Sequence, residues 1–243
     1  MNFIAAALVL IPSLYSGPGA FGSRWTTAVA LNNYMDVPFS SPGVFFGTLC
    51  PIPEGCTTNN VPGGQFGSIR SPHPANGLLL YLPSEDAPVV FVARFGASPR
   101  NTLDQGTELP IVHESSFSRT PIHLPYVPLH GDFRTTLRIY APDAEAGTTV
   151  RVELRSWTAP TVAPVEAKIV ALPAPPQPTL QPIFPGYAQL DLRGEFPQTF
   201  GMAGNCNVTI VPLPRDSGAL PRIWAFVTIT DNVTQEATLQ RPQ

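Results

Sequence analysis

The chain has 243 residues, enough for one large β-domain or two modules of ordinary size. Thirty prolines and 19 glycines punctuate it, and its charged share of 13% is about half the usual one, which excludes an acidic solvating chain. A net charge of −3, with Lys168 the sole lysine and arginines scattered from Arg24 to Arg241, leaves no local basic stripe and so speaks against a nucleic-acid groove.

The chain opens on an apolar run, Phe3 to Ile11, too short to span a bilayer. It reads either as the apolar part of an export signal, although no Lys or Arg precedes it, or as part of a first strand over Leu8 to Leu14. Gly17 to Gly22 then satisfies the spacing of a dinucleotide fingerprint, with Asp36 further on. That fingerprint works by opening a helix toward a pyrophosphate, whereas Trp25 to Leu31 is Thr- and Val-rich and alternating, a strand, so a glycine-rich turn is expected and no cofactor. Cys50 and Cys56 stand in CPIPEGC, a turn that can bring two Cβ atoms within bridging range, and a local disulfide is expected there. Zinc would need four ligands, and neither CxxC spacing nor a His pair accompanies them.

Strands follow at Leu78 to Leu82 and Val89 to Ala93, with a single helical turn at most over Pro83 to Ala87. His113-Glu114 starts like a zinc-protease helix, but Phe117 stands where the second histidine would be. Asp104, Glu108, Glu114, His123, His130 and Asp132 could form an acid/base or metal site only by converging in a pocket; read singly they are loop residues. Thr135 to Tyr140 and Thr149 to Leu154 are further strands, the latter with Val150, Val152 and Leu154 on one face and Arg151 and Glu153 on the other. Glu85-Asp86 and Asp143 with Glu145 are turn residues, and no G-x-S-x-G elbow occurs. Ala171 to Pro185 is a proline-rich, extended spacer. Val208 to Val211 and Ile223 to Ile229 close the series, with Cys206 in phase with Val208 and Ile210 as a buried, inert thiol. Asn207-Val-Thr209 and Asn232-Val-Thr234 fit a glycosylation acceptor pattern and read equally as strand-end polar residues.

Many short strands without crossover helices predict an all-β chain. Three matches recur in order: Trp25 to Leu31 with Phe133 to Ile139, Pro62 to Ile69 with Pro185 to Leu192, and Val89 to Phe95 with Ile223 to Ile229. Their growing separation places insertions in the second copy. We therefore expect two tandem antiparallel β-sandwich domains with Pro/Gly-rich loops, over 1–115 and 116–243, the second carrying the proline-rich insertion near 171–185.

The runs IPSLYSGPGAFGSRWTTAVALNN, HLPYVPLHGDFRTTLRIYAP and IWAFVTITDNVTQEATLQRP resemble a tandem Ig-like β-sandwich region found in secreted proteins of environmental bacteria. The resemblance implies export and an Ig-like fold, and brings no activity and no catalytic residues to this chain.

Trp25 and Trp224 occupy strand positions expected to face the core, which leaves Trp157, with Tyr126 and Tyr187, as candidate ligand-contact aromatics. Two functions follow. One is a non-catalytic extracellular structural or adhesive protein, not an enzyme, whose partners are copies of itself or a cell-surface or extracellular polymer, with Met1 to Tyr15 able to add as a strand to a neighbour's sheet edge. The other is a carbohydrate- or partner-binding module using exposed aromatics. Neither involves a cofactor, nucleic acid or a membrane span.

Overall fold

The structure is a computed structural model that describes all residues except 1–6, 14–15, 19–23, 42–43, 49–55, 71–75, 99–105, 146, 159–162, 174–183, 201–203, 235 and 243. The chain is all-β, with four antiparallel sheets, and divides into two compact units: Met1–Glu114 with Pro176–Phe184, and Ser115–Pro175 with Pro185–Gln243.

The first unit contains β1 (Ala7–Ile11), β2 (Ser16–Pro18), β3 (Arg24–Asn33), β4 (Phe45–Thr48), β5 (Cys56–Thr58), β6 (Phe66–Arg70), β7 (Leu78–Leu82), β8 (Val89–Ser98), β9 (Thr107–Leu109) and β10 (Val112–His113). They form a three-stranded sheet, β10-β1-β7, and a larger one ordered β5-β4-β6-β3-β8-β9, with β2 also on β3. Strand β1 is central in its sheet: Val9 faces Leu80 on one side and His113 on the other. Its sequence is apolar at every position from Leu8 to Ile11, and all four side chains are buried, as a strand covered on both faces requires. Both edges of β1 are thus paired within its own unit; the rest of the Met1 to Tyr15 segment read as a possible donor strand includes residues outside the described ones. Gly17 lies in a strand antiparallel to β3, not before a helix. Trp25 is buried and stacks on Phe95 at 4.7 Å. The expected Cys50–Cys56 bridge falls on Cys50, outside the described residues.

The second unit contains β11 (Ile122–Pro128), β12 (Phe133–Ala141), β13 (Thr149–Ser156), β14 (Glu166–Ala171), β15 (Gly186–Asp191), β16 (Asn205–Pro212), β17 (Trp224–Asp231) and β18 (Ala237–Gln240), with single helical turns α1 (Leu192–Glu195) and α2 (Pro197–Phe200). The sheets are β11-β16-β13-β14 and β15-β12-β17-β18. Buried side chains from both sheets and their connections join in one core, among them Leu124, Leu137, Ile139, Val152, Leu190, Val208 and Val227. Each large apolar side chain so buried contributes about 1.5–3 kcal/mol. The alternation in β13 sends Val150, Val152 and Leu154 inward and leaves Arg151, Glu153 and Arg155 on the outer face.

The three matched segments occupy like places in the two units. β3 lies between β6 and β8, and β12 lies between β15 and β17. In both units the two strands that follow this central strand form a hairpin, but β4-β5 joins β6 whereas β13-β14 joins β16 in the opposite sheet. In the second unit β12 pairs with β15 and β13 with β16, as strands B with E and C with F do in an immunoglobulin domain. The outer strands are exchanged: β11 joins β16 and β17 joins β12, where the immunoglobulin order has the first strand beside B and the last beside F.

Trp224 is buried but does not enter the core between the sheets. Ile223, Ala225 and Val227 take the inward register, so Trp224 packs on the other face of its sheet with Tyr140 (6.0 Å) and Phe226 (5.3 Å). Burial pushes the Tyr140 hydroxyl well above its ordinary pKa, with the neighbouring Tyr187 adding to the effect.

Candidate functional site

The site begins with a β-bulge. Leu124 pairs with Val208 and Val127 with Cys206, so Pro125 and Tyr126 together oppose the single residue Asn207. Pro125 has no N–H to give to the ladder, and its carbonyl instead accepts from the Gln240 side-chain amide. Tyr126 takes a left-handed backbone, φ 58°, the one non-glycine residue with positive φ among the described residues. That conformation costs about 1–2 kcal/mol for a residue with a Cβ. It is held by the Tyr126 amide, which donates to Asn207 Oδ1 at 3.3 Å. The result is a tyrosine aimed out of the sheet, 55% exposed.

Strand β13 supplies the second ring. Trp157 follows the last residue of β13 in the outward phase of Arg151, Glu153 and Arg155, and stays 44% exposed. Since β16 runs between β11 and β13, the two rings meet above it, edge to face at 5.0 Å and 83°. Ser156 and Thr158, on either side of Trp157, share a hydroxyl hydrogen bond of 2.9 Å.

A cleft lies on each side of Trp157. One, of about 280 Å³, runs past Tyr126, Thr158, Thr199 and Asn205. The other, of about 590 Å³, is walled by His123, Pro125, Arg155, Asn207 and Thr209. The second is within the size range of small-molecule sites. Its polar wall is set by register: His123 faces Thr209, and Asn207 faces Arg155. His123 Nδ1 lies 3.1 Å from the Thr209 hydroxyl. Glu153, opposite Thr209, is buried, with Arg151 Nε 2.8 Å from one carboxylate oxygen and Arg155 Nη2 2.8 Å from the other.

Of the three candidate aromatics, the structure brings Tyr126 and Trp157 together and puts Tyr187 elsewhere. Tyr187 stands on β15, in the other sheet, half-buried against Tyr140 at 5.2 Å, with its hydroxyl donating to Gln189. Burial raises its pKa, opposed by the nearby Arg138 guanidinium.

The acidic and histidine residues of the middle of the chain have separate employments. Glu114 accepts from the Leu8 amide at 3.2 Å, His123 meets Thr209, and His130 pairs with Asp132 at 3.2 Å while lying against Phe133. Asp104 is outside the described residues. Asp143 binds Arg215 and Arg222 and fastens loops together. Among the described residues no group of three His, Cys, Asp or Glu is placed to hold a metal ion. Cys206 is buried, and burial pushes its thiol up to about 12. Asn207 and Asn232 both spend their side chains on backbone partners, Tyr126 and Gly131, and the Thr209 hydroxyl is engaged by His123.

Arg155 has no sequence motif to announce it, whereas His123 and Asn207 stand in patterns that point to other chemistry, an acid/base cluster and a glycosylation acceptor. The signal for Arg155 was the outward phase of β13; the bulge that places Tyr126 depends on a pairing that only the fold supplies. Comparison with protein families, curated proteins and solved structures gives no match to this chain.

Proposed function

We propose that the chain is a non-catalytic extracellular adhesive protein of Ig-like build whose adhesion runs through a glycan held at Tyr126 and Trp157. The observation that carries this reading is the pair of exposed rings fixed edge to face between two clefts with polar walls. Sugar rings present apolar C–H faces that an aromatic ring covers, and hydroxyls that need hydrogen-bonding partners at the margin. Asn207, Thr209, His123, Ser156 and Thr158 stand at that margin. The left-handed Tyr126 supports the same reading, because strain of this kind persists where surrounding structure holds a side chain for use.

The test is a panel of immobilised oligosaccharides probed with the full chain and with Trp157→Ala and Tyr126→Ala. At least one glycan class should be retained by the wild type and lost with Trp157→Ala. A wild type that binds none, or a Trp157→Ala chain that binds as well as its parent, would overturn the proposal.

A further inference from the structure

We infer that the glycan held at this site is a polyuronate, a chain of sugars bearing carboxylates, and that Arg155 receives one of those carboxylates; this rests on the glycan reading of the Tyr126–Trp157 site. Three observations carry it.

The first is the charge of the lining. Among the described residues that wall the two clefts, Arg155 is the one side chain with a permanent charge, and none is acidic. The second is how the nearest carboxylate is disposed of. Glu153 exposes 7% of its side chain, whereas Arg151 exposes 48% and Arg155 25%. Among the described residues of β13, one buried negative charge therefore underlies two partly exposed positive ones. The third is geometry. Both Glu153 oxygens are already engaged, one by each arginine, so Glu153 is committed to fixing the guanidinium of Arg155 rather than to meeting a ligand. A planar guanidinium held in this way is suited to a carboxylate, which it pairs with more strongly than with a neutral hydroxyl. Trp157 lines both clefts, so a sugar stacked on its ring lies beside Arg155 in the larger one.

The experiment compares matched probes by titration calorimetry on the full chain: oligogalacturonate, oligomannuronate and oligoglucuronate, each against its methyl ester, which keeps the ring and removes the charge. We expect at least one acid to bind about tenfold tighter than its ester, with the preference shrinking between ~50 and ~500 mM salt. Arg155→Gln should bring the acid down to the level of the ester, and Trp157→Ala should weaken both. Equal affinity for acid and ester in the wild type would overturn the inference and leave the glycan site standing. No binding of any acid or ester would overturn the inference, and a negative neutral panel beside it would remove the glycan reading as well. Because Arg155→Gln disturbs a built ion pair, its thermal unfolding is measured in parallel; the wild-type acid and ester comparison decides the matter even if that variant does not fold.

Discussion

Gly186 opens β15 at a place where no side chain fits, and Gly186→Ala is a direct trial of the packing at the start of that strand. A Cβ built there would lie 2.2 Å from the Ala144 Cβ and 2.7 Å from the Leu172 carbonyl oxygen. Carbon atoms pack best at about 3.5–4.0 Å, so the first contact is short by more than 1 Å. The surroundings have little room to give: Gly186 is paired to Ala141 at the end of the β12-β15 ladder, the Leu172 amide is tied to the Thr148 carbonyl at 2.9 Å, and the Tyr187 amide donates to the Pro173 carbonyl at 3.2 Å. Overpacking typically costs about 1–3 kcal/mol, and with one clash on backbone we expect about 3 kcal/mol here. Half of the clash is removable. Ala144→Gly alone should cost under about 1 kcal/mol as a loop substitution, and combined with Gly186→Ala it should recover at least about 1 kcal/mol. The assay is urea unfolding of the four chains followed by tryptophan fluorescence, with the denaturant slopes compared to confirm that the same transition is read. A loss below about 1 kcal/mol for Gly186→Ala, or strictly additive effects in the double variant, would refute the packing argument.

Other expectations follow from features already described. Trp157→Ala should abolish glycan retention while lowering stability by less than about 1.5 kcal/mol, since what it loses in the fold is chiefly an edge-to-face contact; a large loss of stability would mean that the ring is structural. Ile139→Ala, which truncates a fully buried core side chain, should cost about 2–5 kcal/mol, read by the same urea titration. Cys206 binds its proton more tightly in the fold than in the unfolded chain, so its contribution to stability is complete below pH 9 and falls away as pH rises from there toward 12. Near pH 10 to 11 the wild type should therefore lose about 1.4 kcal/mol more per pH unit than Cys206→Ala, and equal slopes would contradict the burial of the thiol. With both edges of β1 paired, light scattering should find a species near 26.1 kDa, and a larger species would speak for self-assembly instead.

The strand content was legible because most strands here carry their own signal: β-branched or aromatic runs such as Val150 to Leu154 alternate cleanly and stop at Pro, Gly, Asn or Asp. The three matched segments are strands that lie side by side, β6-β3-β8 in the first unit and β15-β12-β17 in the second. Local pattern could not say which sheet a hairpin joins. The β4-β5 and β13-β14 hairpins sit at like places in the chain and go to opposite sheets, a choice made by long-range pairing. Trp224 shows the same blindness on a smaller scale. An apolar strand such as Ile223 to Val227 is hydrophobic on both faces, so periodicity cannot tell which face meets the core. At the site, Trp157 stands out in the sequence as an aromatic between Ser156 and Thr158, while Tyr126 lies between Pro125 and Val127 and carries no such local signal. Their meeting across β16 required both the strand order and the one-residue bulge at Asn207.

The hairpin that changes sheets also sets the valency of the protein. Arg155, Glu153 and Trp157 all belong to β13 or its end, and β13 lies beside β16 only because its hairpin joined that sheet; β4, its counterpart in the first unit, lies beside β6. Among the described residues the proposed site therefore belongs to the second unit, and on the reading proposed here that unit grips its ligand at a single point. Firm attachment to a polymer would then come from many chains on one surface or many repeats along one glycan, with an effective concentration set by their spacing and not by any linker within the chain.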